Sequence, residues 1–213
     1  MNKDVIKSID KDAELRFVDK VNARSLDGVR YIEGRSASVN SPTIIRDGLG
    51  TYEEVIRPGA FDKAVNDDIR IVKNHNENLL LGRSKNGVGT GRIFIDDEGG
   101  LSFSVPVRES RSHSVDTYDE IQTRDLDGCS FVFVTDDSGE KWTYPDEENQ
   151  RSIPLREIFE FKRIYDVGPV TYPAYLDTSV VARSIPSRID NKNEKEYLND
   201  QYEFDQLLMN LGL

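Results

Sequence analysis

The run Asp127-Gly128-Cys129-Ser130-Phe131-Val132-Phe133 reads as a β-strand entered through a Gly-X turn. Successive side chains of a strand point to opposite faces. Cys129, Phe131 and Phe133 therefore share one face, which their apolar character assigns to the core. Ser130, Val132 and Val134 share the other, and a nucleophile belongs on the face that a ligand can reach. A serine hydroxyl is a weak nucleophile until a neighbouring imidazole takes its proton. Of the two histidines in the chain, His75 lies in Asn74-His75-Asn76, at the end of the apolar run Ile69-Arg70-Ile71-Val72, which reads as another strand. A strand serine is ordinarily a small polar filler and a lone histidine a surface residue. A serine and a histidine each delivered by a strand are also the two parts that a serine hydrolase needs.

Short strands extend outward from these two. Leu15 and Phe17 begin a strand region that continues through Val29-Arg30-Tyr31-Ile32, with Asp27-Gly28 as a turn. Residues 40–52 and the glycine cluster from Gly82 to Gly91 read as loops. Pro58 to Val65 reads as a short helix with proline at its start. Arg92–Ile95 and Leu101–Val107 form a hairpin in which Leu101, Phe103, Val105 and Val107 share a face. Val115, Tyr118 and Ile121 recur at helical spacing between Ser112 and Arg124. After Lys141-Trp142-Thr143-Tyr144 and a polar loop, a long strand region is expected from Ile153 to Val170. Many short strands with few helices give a mainly β, α+β protein, an antiparallel barrel or sandwich with flanking helices. Residues 1–12 read as a loose arm, 13–183 as the folded domain, and 184–213 as a charged tail whose part from Glu194 to Leu211 has amphipathic spacing.

Composition narrows the function. At 213 residues with a net charge of −11 and two histidines against one cysteine, the chain lacks the basic footprint of a nucleic-acid binder. It also lacks the ligand spacing of a zinc site. No apolar run approaches a membrane span and the N-terminus has no signal-like apolar region. A single cysteine leaves no internal disulfide and fits a reducing cytoplasm. Without a phosphate-binding glycine pattern, no cofactor and no metal is expected.

Five segments together resemble the prohead protease family of tailed bacteriophages, serine peptidases similar in fold to the herpesvirus assemblins. They are Glu54-Val55-Ile56-Arg57-Pro58-Gly59-Ala60-Phe61-Asp62; Asn74-His75-Asn76 with Leu81-Gly82-Arg83; Asp97-Glu98-Gly99-Gly100-Leu101; Asp127-Gly128-Cys129-Ser130-Phe131; and Asp166-Val167-Gly168-Pro169-Val170-Thr171-Tyr172-Pro173-Ala174. The resemblance implies an assemblin-like antiparallel barrel, His75 as general base and Ser130 as nucleophile. It further implies a serine endopeptidase acting on phage coat and scaffold proteins, and on itself, during procapsid maturation in the bacterial cytoplasm. Its partners would be the major capsid protein and scaffold; whether it forms a homo-oligomer is left open. Two positions depart from the pattern: Val132 stands where glycine is frequent, and Gly168 where serine is common.

The third catalytic group is open on the residues alone. The assemblins use a second histidine after the serine, but His113 precedes Ser130 and reads as an exposed helix residue. A carboxylate would orient the imidazole equally well. Glu160 and Asp166 share a parity opposite to Phe159, Phe161 and Tyr165, and Asp166, within a resembling segment, is preferred. Cys129 is a rival nucleophile, made inert if its thiol faces the core. The rival of another class is a non-catalytic assembly or scaffold component on the same barrel.

Overall fold

The structure is a computed structural model that describes residues 13–18, 21–47, 50–146 and 148–171. The N-terminal arm and the C-terminal tail expected from the sequence lie outside the described residues. The strands are β1 (Glu14–Val18), β2 (Val21–Leu26), β3 (Val29–Ala37), β4 (Thr43–Asp47), β5 (Gly50–Ile56), β6 (Asp68–Val72), β7 (Leu80–Lys85), β8 (Val88–Gly89), β9 (Arg92–Ile95), β10 (Leu101–Pro106), β11 (Gly128–Val134), β12 (Glu140–Thr143), β13 (Leu155–Ile158) and β14 (Arg163–Val170). The α-helix among them, α1, spans Ser112–Thr123.

These strands make three sheets. The largest has the order β1-β11-β14-β6-β7-β8; the others are β2-β3-β10-β9 and β12-β13-β5-β4. The protein is mainly β as expected, but no ladder among the described residues closes the sheets into a barrel, and the pairing is mixed. β14 runs parallel to β6 and β13 parallel to β5, because long crossovers separate the members of each pair.

Local chemistry explains most boundaries. Asp27 and Gly28 both take positive φ, at 50° and 78°, which a tight turn between hairpin strands requires, and Leu26 pairs directly with Val29. Arg124 adopts the left-handed conformation that ends α1. Pro58 to Val65 forms turns and a single 3₁₀ turn instead of the expected helix. Gly59, at φ 89°, breaks the right-handed run, and the main-chain bonds are short-range, as in Ala60 N to Arg57 O. The expected loops at 40–52 and 82–91 contain β4, the start of β5, most of β7 and β8, since pairing with a neighbouring strand outweighs weak local propensity. The expected long strand from 153 to 170 is two, β13 and β14, which belong to different sheets.

The core fills the space between the sheets. Phe61, Phe131, Phe133 and Phe161 pack ring against ring, with centroids 4.8 Å apart for Phe61–Phe161 and for Phe131–Phe133. Leu101, Phe103 and Val105 of β10 join them as the alternation predicts. β3 lies against β1, β11 and β14. The approach is close at Gly34, where an added Cβ would come within 2.3 Å of the Cys129 sulfur.

A second interior is ionic. Arg156 on β13 is 1% exposed. Its guanidinium donates to Glu14 Oε1 at 2.7 Å, Glu54 Oε2 at 3.0 Å and Thr135 Oγ1 at 2.7 Å, and its Nε donates to Glu140 Oε2 at 2.9 Å. Arg16 on β1 grips Glu54 through two nitrogens, at 2.5 and 2.7 Å, and reaches Glu14 at 2.8 Å. Three carboxylates and two guanidiniums thus fasten β12, β13 and β5 to the edge of the largest sheet. Removing one partner of such a set leaves buried charge uncompensated. Arg156→Ala is expected to cost about 3–5 kcal/mol of stability in urea denaturation.

The same knot makes stability depend on acid. Burial by itself would raise the Glu14 carboxyl, but Arg16 and Arg156 outweigh it and hold its pKa below the ordinary value of 4.5. A carboxyl with a lowered folded pKa contributes stability above its unfolded pKa and loses it as pH falls through the folded one. Urea midpoints are therefore expected to be steady above about pH 4.5 and to decline below it. Glu14→Gln should lower the midpoint at neutral pH and flatten the acid limb relative to wild type.

Candidate active site

Three adjacent strands of the largest sheet build the site. β11 carries Ser130, β14 carries Asp166, and β6 leads into a single turn, Lys73–His75, that carries His75. The alternation at Ser130 is as the sequence predicts, but the face opposite the main core is not the open one expected, since every residue of β11 is buried. Cys129, Phe131 and Phe133 enter the main core, while Val132 and Val134 pack with Ala13, Leu15 and Tyr165 on the other side. Ser130 pairs with Gly168 and Val132 with Asp166. Ser130 and Asp166 are therefore diagonal neighbours on one face.

His75 and Asp166 meet. Nδ1 of His75 lies 2.6 Å from Oδ1 of Asp166, and both side chains are buried. A carboxylate only accepts, so a neutral imidazole in this contact would donate through Nδ1 and leave the Nε2 lone pair free. Nε2 is itself buried and has no hydrogen-bond partner among the described residues. The Ser130 hydroxyl donates instead to the main-chain carbonyl of Arg16 on β1, at 2.6 Å. The arrangement holds a serine with its proton on a carbonyl and an imidazole fixed by a carboxylate with its far nitrogen unengaged.

Gly168 has a spatial reason. It stands directly across from Ser130 and against the strand that delivers His75. A Cβ there would lie 1.9 Å from the Val72 carbonyl oxygen. A serine at this position does not fit this backbone, and the glycine lets β14 press against the segment leading to the imidazole.

The remaining candidates are elsewhere. Glu160 lies outside the strands and makes an exposed ion pair with Lys63 at 2.8 Å. The parity expected for its neighbours fails on both sides. Phe159 is exposed while Phe161 is buried, since this stretch is not a strand. Further on, a register shift between β11 and β14 places Tyr165 in the smaller apolar cluster, on the side that bears Asp166. His113 is half-buried, not exposed, and its Nε2 bonds the Leu80 carbonyl at 2.9 Å. The left-handed backbone of Asn74 and His75, at φ 53° and 52°, could not be read from the sequence. Only the asparagine, a residue that tolerates this region, hints at it.

The fold thus brings a buried serine and a hydrogen-bonded Asp–His pair onto neighbouring strands of one sheet. In comparison with protein families, the chain matches the caudovirus prohead serine protease family over residues 19–193 and belongs to that family. No curated protein and no solved structure matches it. Among the described residues, no helix is long and apolar enough to cross a membrane, and no cluster of His, Cys, Asp and Glu is placed to hold a metal ion.

Cys129 adjoins the serine in sequence, but its side chain lies in the core. Burial pushes its thiol well above the ordinary range, which suppresses the thiolate that would attack. Iodoacetamide is expected to leave native Cys129 unmodified and to alkylate it in urea, as read by intact mass.

Proposed function

We propose that Ser130, His75 and Asp166 are the catalytic triad of a serine endopeptidase that processes phage coat and scaffold proteins, and itself, as the procapsid matures. The buried bond between His75 Nδ1 and Asp166 Oδ1, 2.6 Å long, carries this reading. It fixes the tautomer in which Nε2 is the base, and it stabilises the imidazolium that forms when a proton arrives.

The chemistry follows from the atoms. The Ser130 hydroxyl leaves the Arg16 carbonyl, and its proton passes to His75 Nε2 as Oγ bonds to the scissile carbonyl carbon. Collapse of the tetrahedral intermediate breaks the C–N bond, and the imidazolium returns the proton to the leaving amine. Water then attacks the acyl-serine with His75 again as base, releasing the new carboxyl end and restoring the hydroxyl. Enclosure in a procapsid in the host cytoplasm raises the effective concentration of coat and scaffold, so modest turnover suffices. On this reading the peptidase domain is assigned to residues 13–183.

One observation favours a second reading, a non-catalytic assembly component. Ser130 is 1% exposed and its hydroxyl is already occupied by Arg16. Intact-mass analysis after co-expression with the coat protein separates the two. Discrete truncations in wild type that vanish in Ser130→Ala are expected. Full-length masses in both would sink the peptidase. Asp166→Asn should slow turnover on the order of 10⁴-fold, as loss of the correct tautomer does in serine proteases, whereas Glu160→Gln should cleave like wild type.

A further inference from the structure

We propose that Asn74 is a positioning residue for His75: its side chain clasps Thr171 and so holds the backbone turn that aims the imidazole at Asp166. The inference rests on the triad reading and adds a residue to it.

The turn is costly for ordinary residues. Asn74 has φ 53° and ψ 32°, and His75 follows at φ 52°. Left-handed backbone brings Cβ close to the following carbonyl, and two such residues in succession persist only where surrounding contacts impose them. Those contacts come from both sides. Asn74 Oδ1 accepts from the Thr171 main-chain N–H at 2.8 Å, and its Nδ2 lies 3.1 Å from Thr171 Oγ1. Before it, Lys73 forms an ion pair with Glu120 on α1. The Asn76 N–H closes the turn on the Lys73 carbonyl at 3.0 Å.

The clasp couples the two halves of the His–Asp pair. Thr171 directly follows Val170, the last residue of β14, and Asp166 lies on that same strand. One strand thus holds the carboxylate through its own backbone and the imidazole through Asn74. Released from Thr171, the turn is free to relax toward right-handed backbone, which would swing the ring off the carboxylate. Asn74 is half-buried and Thr171 exposed. The clasp therefore adds little to the core, and its effect should show in the site before it shows in stability.

The test uses the full-length chain with two readouts. One is the downfield proton resonance of His75 Nδ1–H, identified by its loss in Asp166→Asn and its persistence in His113→Gln. The other is the second-order rate at which Ser130 takes up a fluorophosphonate, followed by intact mass. In Asn74→Ala the resonance is expected to broaden or vanish. The labelling rate should fall on the order of 10-fold to 100-fold, the cost of misplacing a catalytic group by about 1 Å, with the melting transition unchanged. Asn74→Asp keeps an acceptor for the Thr171 N–H and should stay close to wild type in both. A wild-type resonance and labelling rate in Asn74→Ala would overturn the proposal, as would a rate loss that merely follows a drop in folded fraction. If wild type takes up no label, the resonance alone decides. Labelling that persists in Ser130→Ala would overturn the triad itself, an outcome distinct from failure of the clasp.

Discussion

The site depends on an interaction remote from its chemistry: the buried ionic knot of Glu14, Arg16, Glu54, Glu140 and Arg156. Charges this deeply buried are tolerable only because each finds partners of opposite sign and good geometry. The knot fixes Arg16, and Arg16 lies on β1, the edge strand paired with the strand that carries Ser130. The guanidinium of Arg16 is also over the Phe133 ring, 5.4 Å from its centroid. One residue therefore faces the core with its side chain and Ser130 with its carbonyl. The position of that carbonyl, and with it the resting direction of the serine hydroxyl, follows from the charge pairing below the sheet.

Above the sheet, geometry is set by what is missing as much as by what is present. Gly168 has no side chain, so the Val72 main chain can approach β14 and the following turn can bring His75 over to Asp166. The register shift between β11 and β14 has a related effect. It takes up Tyr165 as an extra residue, and so lets Asp166 stand opposite Val132 while Ile164 and Val167 still reach the core. Bulges of this kind commonly re-aim a side chain beside a functional site. The sheet thus carries the serine and the carboxylate, and a left-handed turn carries the imidazole.

Much of the fold was legible wherever the alternation of side chains was strict. The strand through Ser130 and the hairpin ending in Leu101–Pro106 bury the residues that the period-two pattern assigns to the core, and α1 forms where the recurrence places a helix, although it buries Ser114, Thr117 and Ile121 and leaves Val115 and Tyr118 half-buried. Legibility failed where non-local pairing decided. The polar residues around Thr43 and the glycine-rich stretch after Leu80 became strands because neighbours offered ladders to join. The segment after Pro58 declined to become a helix because of one left-handed glycine. Phe159 and Tyr165 fell on sides that uniform alternation does not predict, since the chain between β13 and β14 leaves one sheet before entering another.

The sequence by itself determined which residues could do chemistry: a serine on the non-core face of a strand, a histidine at the end of another, and few alternatives, because the chain has only one cysteine and two histidines. It left the carboxylate open, since Asp166 and Glu160 have the same chemistry and differ only in place. Tertiary structure gives the two different contacts: Asp166 bonds the imidazole, and Glu160 lies in an exposed pair with Lys63. It also decided what no linear pattern encodes. The knot joins residues as far apart in the chain as Glu14 and Arg156, and the Asn74 clasp spans from one strand's end to another's. Both depend on distances that exist only once the three sheets have packed together.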